Sequence, residues 1–272
     1  MIHRAVIPAA GRGSRFLPAT KAQPKEMLPV VDKPVIQYVV EEAVTAGIED
    51  ILIISGKEKR AIEDHFERSE ANSESLQELE ELANSANLFY VRQRERKGLG
   101  DAVSYAKSFT GDDPFVLLLG DTITAPNCAQ QLLQLYESHK ETMIAVEEVS
   151  KADVSKYGIV AGERIEGDVL RVHNLVEKPD QKDALSNMAI IGRYVLTPAI
   201  FDAIARTPPG IGGEIQLTDA LRNLREDVLA VIYHGKRYDI GTKMDWIEAN
   251  VQMFLQDARY SDDLRSFLGK LE

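Results

Sequence analysis

The residues best suited to chemistry begin near the N-terminus, in the segment "AAGRGSRFLPATKAQPK". Gly11 and Gly13 carry no side chain, so the backbone N–H groups around them can approach an anion closely. Arg12, Arg15 and Lys25 add positive charge to the same short segment. Together, these residue types predict a loop that binds phosphate groups.

Two known phosphate-binding motifs do not fit this segment. The dinucleotide fingerprint G-x-G-x-x-G fails at its third glycine, where the chain has Phe16, and the Gly-Lys-Ser/Thr ending of a P-loop is absent. A nicotinamide-dependent enzyme and a simple ATPase are therefore disfavoured. A solvated surface turn remains an alternative for the glycines and arginines alone. Prolines follow at four nearby positions, Pro18, Pro24, Pro29 and Pro34. They favour phosphate binding, because they hold the segment extended and can return Lys25 to the loop tip.

Two aspartates that lie far apart in the sequence share a similar setting. Asp121 ends the apolar run "FVLLLGD", and Asp239 lies in "YDIG". A carboxylate at the carboxyl end of a buried strand lies where an α/β fold places its site. If the fold brings the two carboxylates together, their oxygens can hold Mg²⁺ and bridge it to phosphates. The residues alone leave open the alternative that each aspartate caps a turn.

Two further stretches carry residues that suit a nucleotide and a sugar phosphate. Gln93 and Gly98 in "RQRERKGLGDAV" offer an amide that both donates and accepts, and a backbone that can approach a base edge. Glu177 and Lys178 in "VEKP" offer a carboxylate for sugar hydroxyls and an ammonium for a phosphate. From the residues alone, a surface turn and an ordinary surface ion pair are the default interpretations.

Apolar runs alternate with helical patterns along the chain, and the strands and helices that they predict must position these residues. Strands are predicted over 3–8, 50–55, 88–93 and 115–121, and helices over 35–47, 57–67, 101–109 and 128–139. Beyond about residue 142 come the strand-like "YGIVAG", "VLRVHNLVEKP" and "MAIIGRYVLTP", a helix start in "GGEIQLTDALRNLRE" and a helical C-terminus. The pattern predicts an α/β fold: a doubly wound, mostly parallel, Rossmann-like mixed sheet flanked by helices, with ligands at the carboxyl ends of its strands.

Composition limits the classes of protein that this chain can belong to. A net charge of -11 and a pI near 5.1 argue against a general nucleic-acid binder, although they permit a local basic pocket. The single Cys128 excludes an intramolecular disulfide and suits a reducing cytoplasm, with packing as its expected role. No apolar stretch approaches the ~18 residues of a membrane span. We expect a cytoplasmic protein without nucleic-acid or membrane partners, and in the acidic segment 69–87 a surface loop with a short solvated helix.

The motifs, taken together and in order, resemble a known family. The segment "AAGRGSRFLPATKAQPKEMLPVVDKPVIQYVVEEAVTAGI" is similar to the signature of the sugar-1-phosphate nucleotidylyltransferases, and more narrowly to that of the bacterial-type UTP–glucose-1-phosphate uridylyltransferases, or UDP-glucose pyrophosphorylases. The similarity continues through "RQRERKGLGDAV", "LLLGD", "YGIV", "VEKP", "AIIGRYVL", "GEIQLTDAL" and "YDIGT". A run of motifs in the family's order is far more specific than any one of them.

The resemblance implies roles for the residues at matching positions. It implies a nucleotide-binding set at Ala9, Ala10, Gly11, Gly13, Arg15, Lys25, Gln93 and Gly98. It implies a sugar-phosphate-binding set at Tyr157, Gly158, Glu177, Lys178 and Gly192. Glu214 is expected to shape the sugar pocket or to cap its helix.

The resemblance also implies the metal. Asp121 and Asp239 are expected to hold Mg²⁺ as the cofactor. Relatives often carry His where this chain has Asp101, so no role is assigned to Asp101.

The implied reaction is glucose 1-phosphate + UTP → UDP-glucose + pyrophosphate, with both substrates as small-molecule partners. The sugar phosphate can attack the α-phosphorus of UTP directly, so catalysis is a matter of positioning and charge stabilisation. Arg15, Lys25 and Lys178 are the expected catalytic residues, and Arg12 is a weaker candidate. The rival hypotheses are a dTTP- or CTP-dependent transferase and a catalytically silent nucleotide-sugar-binding regulatory protein.

We expect one nucleotidylyltransferase domain over 1–272. Its nucleotide-binding half should span 1–141, its sugar-phosphate-binding half 142–242 with a smaller β portion, and its C-terminal helical tail 243–272. By analogy with the family, we expect a homodimer or a homotetramer, with the tail as a plausible contact.

Overall fold

The computed structural model describes residues 1–69 and 73–271 of the chain. The strands in these residues are β1 (Arg4–Pro8), β2 (Pro29–Val30), β3 (Lys33–Pro34), β4 (Asp50–Ser55), β5 (Asn87–Arg92), β6 (Phe115–Leu118), β7 (Thr122–Ala125), β8 (Thr142–Glu148), β9 (Gly158–Glu166), β10 (Val169–Glu177), β11 (Met188–Leu196), β12 (Val228–Ile232) and β13 (Lys236–Asp239). The helices are α1 (Val35–Thr45), α2 (Arg60–Phe66), α3 (Glu74–Asn84), α4 (Leu99–Ser104), α5 (Lys107–Thr110), α6 (Cys128–His139), α7 (Ala199–Arg206), α8 (Leu217–Arg222), α9 (Lys243–Gln256) and α10 (Ser261–Leu268). Short 3-10 turns span Ser14–Phe16, Ala19–Lys21, Lys25–Met27, Val154–Lys156 and Ile211–Gly213.

Nine of the described strands form one mixed sheet in the order β5-β4-β1-β6-β11-β8-β12-β10-β9. The first four are mutually parallel, and β8 is parallel to β12. Only β11 and β10 run against their neighbours, so seven of these nine strands point the same way. The predicted mostly parallel mixed sheet is therefore confirmed.

Side chains alternate between the two faces of this sheet, and helices cover both faces. In β1, Ala5 and Ile7 join the apolar cluster that contains residues of α1 and α6, while Val6 joins the cluster that contains residues of α4, α7 and α8. All three side chains are fully buried. A strand covered on both faces is mostly apolar, which is why β1 and β4 contain nearly continuous apolar runs.

Two predicted elements are shorter in the structure than in the sequence pattern. The helix predicted over 101–109 is divided at Tyr105 and Ala106 into α4 and α5. The strand predicted over 115–121 ends at Leu118, although Leu119 N still donates to Gly192 O of β11 and Gly120 N to Pro8 O of β1. Asp121 consequently lies in the connection between β6 and β7, and not on a strand.

A two-stranded antiparallel ribbon brings together two segments that lie far apart in the sequence. β7 pairs with β13, and Asp239 lies opposite Thr122 in this register. Beyond the pair, Ile240 N donates to Asp121 O at 2.9 Å. The ribbon thus places Asp239 beside Asp121 although more than a hundred residues separate them.

The acidic segment 69–87 is only partly solvated. Residues 70–72 lie outside the described residues. The segment contains α3, which buries Leu79 in the apolar cluster on the α1 face, with Leu76 and Leu82 packed against that cluster. Leucines at this helical spacing form one apolar stripe, so the expectation of a wholly solvated helix is wrong on that face.

Cys128 has the buried setting expected of a packing residue. Cys128 is fully buried at the start of α6, where burial raises the pKa of its thiol. In the described part of the chain, every helix is too short or too polar to cross a membrane.

Candidate active site

Most of the predicted site residues line two cavities that meet at the carboxyl edge of the sheet. The larger has a volume of about 670 Å³ and is lined by the glycine loop and the connection after β5. The smaller has a volume of about 290 Å³ and is lined by the ends of β9, β10 and β11 and by α8. Lys25, Leu119, Asp121 and Glu214 line both cavities. Any two molecules that occupied the cavities together would therefore meet beside a lysine and a carboxylate.

The glycine loop is folded back on itself, and Lys25 lies across it. Gly13 has φ +62°, and Thr20 Oγ1 donates to its carbonyl at 2.6 Å. A Cβ at Gly13 would lie 3.2 Å from Lys25 Cβ, and one at Gly11 would lie 3.6 Å from Lys25 Cε. The predicted return of Lys25 to the loop tip is confirmed. Gly13 requires glycine because of its positive φ and tight contacts, whereas a Cβ at Gly11 would make only an ordinary van der Waals contact.

Lys25 and Asp121 form an ion pair at the junction of the cavities. Burial lowers the pKa of Lys25, but attraction from Asp121 and Glu26 outweighs it, so that pKa lies above its ordinary value. Burial raises the pKa of Asp121, and the Lys25 ammonium outweighs that effect and holds the pKa below its ordinary value. Both groups are therefore charged near neutral pH.

Asp239 titrates differently from Asp121, although the two lie side by side. Burial and the nearby Asp121 carboxylate raise the pKa of Asp239 to about 6, with Arg237 acting in the opposite direction. Two carboxylates that repel each other in a partly buried site are stabilised by a cation between them. The described residues contain no cluster of three or more His, Cys, Asp or Glu ligands. A pair of carboxylates fits Mg²⁺, which commonly takes one or two carboxylates together with phosphates and water.

At the far end of the larger cavity, Gln93 and Gly98 lie together. Gln93 is buried, and its Nε2 donates to Gly98 O at 3.2 Å and to Asp101 Oδ2 at 2.6 Å. Gly98 has φ +105°, and a Cβ there would lie 2.6 Å from Ile215 O. Only glycine fits this position, because a side chain would collide with the backbone that precedes α8.

The smaller cavity collects the residues expected to bind the sugar phosphate. Lys178 Nζ lies 3.3 Å from Glu177 Oε1, and Glu177 Oε2 accepts a hydrogen bond from Thr218 Oγ1 at 2.7 Å. Lys178 has φ +44°, and its N–H donates to Tyr157 O at 3.0 Å. A left-handed backbone is uncommon for lysine and is found preferentially at functional sites. Gly158 adjoins Glu177, since a Cβ there would lie 3.2 Å from Glu177 Oε2.

Other residues from the sequence prediction are also in place. Gly192 lines the smaller cavity with φ +82°, and Ala10 lines the larger. Ala9 lines neither of the two cavities; it is buried, and its N–H donates to Ile54 O at 2.8 Å.

The structure separates the two arginines of the loop. Arg12, the weaker candidate in the sequence, lines the larger cavity, whereas Arg15 lines the smaller one and donates to Gly241 O at 3.4 Å. Both side chains are exposed, so each could move toward a phosphate.

Several charged residues that support the site were missed by the sequence prediction. Arg193 is fully buried and forms an ion pair with Glu42 of α1 at 2.7 Å. Its guanidinium also donates to Thr122 O at 2.6 Å and to Leu119 O at 3.4 Å, on either side of Asp121. The sequence signal was an arginine inside the apolar run "AIIGRYVL", where an unpaired charge would be too costly.

Three further basic residues hold the loops of the site. Lys59 and Glu26 form a buried ion pair at 2.6 Å, next to Lys25 in the chain. Arg96 Nε donates to Ala10 O at 2.9 Å and ties the connection after β5 to the glycine loop. Arg237 lies 4.2 Å from the centroid of the Tyr157 ring and 2.6 Å from Glu147 Oε1. None of these has a local sequence motif.

Comparisons with known proteins agree with this geometry. The family model described as nucleotidyl transferase matches residues 4–255. UTP–glucose-1-phosphate uridylyltransferase 2 of Staphylococcus saprophyticus subsp. saprophyticus is 49% identical, over 100% of this chain and 98% of that protein. The crystal structure of a UDP-glucose pyrophosphorylase complexed with UDP-glucose has a TM-score of 0.91 at 44% identity, over 94% of this chain and 100% of that one. A UTP-bound UGPase from Acinetobacter baumannii has a TM-score of 0.87 at 36% identity, over 100% of both chains.

Three independent features thus agree: the ordered motifs, the mixed sheet with two joined cavities, and full-length similarity well above 30% identity. The chain belongs to the nucleotidyl transferase family and, within it, to the family of UTP–glucose-1-phosphate uridylyltransferases.

Proposed function

We propose that the protein transfers a uridylyl group from UTP to α-D-glucose 1-phosphate, giving UDP-glucose and pyrophosphate. The observation that carries the proposal is the meeting of a larger and a smaller cavity at Lys25 and Asp121. Two phosphorylated substrates in these cavities would have their phosphates beside those charges. The names of the relatives support UTP and glucose 1-phosphate as the pair.

The reaction is a displacement at one phosphorus atom. An anionic oxygen of glucose 1-phosphate forms a bond to the α-phosphorus of UTP. The bond from that phosphorus to the oxygen of the β-phosphate breaks, and pyrophosphate leaves with the electron pair. The attacking oxygen is already ionised near neutral pH, so no general base is needed. The protein has to align two polyanions and to offset their charge.

Lys25 is the residue best placed to stabilise the transferred phosphate. It is a cation in the free protein, held by Asp121 at the junction of the cavities. It can therefore turn to an α-phosphate without first gaining a proton. The backbone N–H groups of the loop at Gly11 and Gly13 would bind the remaining UTP phosphates, with Arg12 on the nucleotide side and Arg15 on the sugar side.

The smaller cavity would hold the sugar phosphate. Lys178 is proposed to place the phosphate in line with the α-phosphorus, while Glu177 accepts hydrogen bonds from sugar hydroxyls. The Lys178–Glu177 ion pair and the left-handed backbone at Lys178 support this assignment, because they fix where the ammonium can reach. Tyr157, Gly158 and Gly192 shape the walls.

Enzymes of this family generally use a divalent metal ion, and we propose Mg²⁺ for this protein. Asp121 and Asp239 would hold it, since they are the carboxylates that the β7–β13 ribbon brings together. When bound, the ion would supply positive charge against the phosphates of both substrates.

The proposal extends to the organisation of the domain, the location of the protein and its oligomeric state. Residues 1–141 would mainly bind the nucleotide, 142–242 the sugar phosphate, and 243–272 would form a helical tail within a single domain. We further propose a cytoplasmic homodimer or homotetramer.

An activity panel tests the function. The purified protein is incubated with MgCl₂, one of UTP, dTTP or CTP, and one of several sugar 1-phosphates, and pyrophosphate release and nucleotide-sugar formation are both measured. The expected result is the highest kcat/KM with UTP and glucose 1-phosphate. Activity should disappear with EDTA and return with Mg²⁺.

The other outcomes of this panel identify the rival functions. A higher kcat/KM with dTTP or CTP would replace the uridylyltransferase by a transferase for that nucleotide. Binding of a nucleotide sugar without transfer from any pair would support a catalytically silent regulatory protein.

A further inference from the structure

Asp101 and Gln93 form a contact that the proposed reaction does not explain. Gln93 follows β5, and its N–H continues the sheet by donating to Ser55 O at 2.9 Å. Its side-chain Nε2 donates to two oxygens, Asp101 Oδ2 at 2.6 Å and Gly98 O at 3.2 Å. Asp101 lies in the first turn of α4, with its side chain half-buried. An acidic residue thus lies directly behind the amide that lines the nucleotide cavity.

The chemistry of these two oxygens fixes which way the amide points. A carbonyl oxygen and an ionised carboxylate only accept hydrogen bonds. If the amide were flipped, Gln93 Oε1 would face two acceptors and both contacts would become repulsive. The NH₂ group must therefore face Asp101 and Gly98, and this orientation follows from the hydrogen bonds themselves.

The opposite end of the same amide is open. Gln93 lines the larger cavity. Within the described residues, no group donates a hydrogen bond to Gln93 Oε1, and this oxygen is not among the buried atoms without a partner. Both hydrogens of the NH₂ group are used inside the protein, so what the amide offers to a ligand is an acceptor.

We propose that Asp101 is a specificity-determining residue: by holding the Gln93 amide with its carbonyl oxygen toward the cavity, it selects nucleobases that carry an N–H at ring position 3. This inference rests on the proposed function only in taking the larger cavity as the nucleotide site. Uracil and thymine have a donor at N3, whereas cytosine has an acceptor there. A cytosine base would place its N3 lone pair against the fixed Gln93 oxygen. The fixed orientation of the Gln93 amide therefore disfavours CTP, but it does not distinguish dTTP from UTP, since both bases carry N3–H.

A purely structural role for Asp101 makes a different prediction. An acidic residue in the first turn of a helix stabilises that helix through its dipole. Loss of that effect would loosen α4 and weaken the binding of UTP, dTTP and CTP by the same factor. The ratio of affinities is therefore the decisive quantity, because a structural effect does not move it.

Asp101→Asn tests the inference. Asparagine has nearly the same shape, but it can present its NH₂ group to Gln93, so that the longer contact with Gly98 O is the one that still opposes the flipped amide. Dissociation constants for UTP, dTTP and CTP are measured by calorimetry on the unaltered protein and on the variant. The affinity ratio of UTP over CTP should fall by about tenfold, as expected when a single hydrogen bond is no longer enforced. The ratio of UTP over dTTP should stay unchanged.

A double-mutant cycle shows whether Asp101 acts through Gln93. In a Gln93→Met background, Asp101→Asn should leave the UTP-to-CTP ratio unaffected, because the amide that it orients is gone. Asp202→Asn is the matched control, since Asp202 is an exposed aspartate in the first turn of α7. It should change neither ratio.

The outcomes separate this inference from the proposed function. Equal weakening for all three nucleotides, or an unchanged UTP-to-CTP ratio in Asp101→Asn, overturns the role of Asp101 while leaving the enzyme a uridylyltransferase. Failure of the unaltered protein to bind UTP would instead overturn the assignment of the cavity and the function with it.

Discussion

Lys25 has to exchange one anionic partner for another during the proposed reaction. In the free protein it pairs with Asp121, and in catalysis it would contact the phosphate of UTP. Replacing Lys25 by Met removes this charge while keeping the length of the side chain. We expect kcat to fall by about 10²- to 10³-fold, the usual loss when a group that stabilises transition-state charge is removed. Steady-state kinetics with UTP and glucose 1-phosphate measure the effect.

Lys21 provides the control for this experiment. It lies in the same loop, is exposed, and lines neither cavity. Lys21→Met should retain nearly full activity and an unchanged thermal midpoint. Lys25→Met should stay folded but have a lower thermal midpoint, because Asp121 loses the cation that offsets its burial. Similar losses in the two variants would mean that the charge of the loop, and not the position of Lys25, is what matters.

Asp239 makes the metal-free protein sensitive to pH. Its pKa is raised to about 6 from the ordinary value of 3.8, so the folded state binds a proton more tightly than the unfolded state does. Its contribution to stability is therefore complete below about pH 4 and is lost as the pH rises through about 6. Asp239→Asn should raise the Tm of the EDTA-treated protein at pH 7.5, with a much smaller gain at pH 4.5. Calorimetric scans at the two pH values measure the difference.

The expected rise in Tm depends on the buried setting of Asp239, and an exposed aspartate should not show it. Asp112→Asn removes an exposed carboxylate between α5 and β6, and should change the Tm little at either pH. A lower Tm for Asp239→Asn at pH 7.5 would mean that the attraction between Asp239 and Arg237 outweighs burial and the repulsion by Asp121. That result would contradict the raised pKa of Asp239.

At the scale of elements, one buried ion pair joins α1, β11 and the connection that carries Asp121. Glu42 accepts from Arg193 and from Ala129 N at 3.0 Å, while Arg193 donates to Thr122 O. Glu42→Ala leaves a buried guanidinium without its counter-charge. The free energy of unfolding should fall by about 3–5 kcal/mol, measured in urea.

A double variant separates stability from positioning. In Glu42→Leu/Arg193→Met, two apolar side chains replace the pair, and much of the lost stability should return. Turnover should stay reduced, because Leu119 O and Thr122 O lack the donor that holds the loop of Asp121. Full recovery of turnover would show that the pair is only structural.

A neighbouring residue on the same helix serves as the comparison. Glu41 pairs with Lys33 at 2.8 Å, and both side chains are about 30% exposed. Glu41→Ala should lower the free energy of unfolding by less than about 1 kcal/mol, as for other solvated ion pairs.

At the scale of the whole molecule, the C-terminal helices leave apolar side chains exposed. Met244 and Ile247 on α9 and Phe267 on α10 are roughly half exposed. A second copy of the chain would cover them. We expect light scattering on a gel-filtration column to give two or four times the chain mass of 30.3 kDa. Ile247→Lys should shift the mass toward the monomer, whereas a monomeric unaltered protein would contradict the proposed oligomer.

The sequence by itself determined the local features of this protein. Continuous apolar runs located β1 and β4, because a strand buried on both faces is mostly apolar. The ordered motifs identified the family, and with it the candidate residues for the nucleotide, the sugar phosphate and the metal. The sequence prediction did not locate β7 and β13, which span four residues each and lack a distinct period. It also gave no prediction for the longer elements β8, β12 and α7.

Only the tertiary structure decided how distant residues meet. The β7–β13 ribbon sets Asp239 beside Asp121, and the neighbouring carboxylate adds to the effect of burial in raising the pKa of Asp239. The partner of Arg193 is Glu42, 151 residues away in the chain, and no periodicity predicts such a pair. The orientation of Gln93 likewise depends on Asp101, to which the sequence assigned no role. Sequence patterns record which surfaces are buried, whereas charge and hydrogen-bond partners depend on distances that exist only after folding.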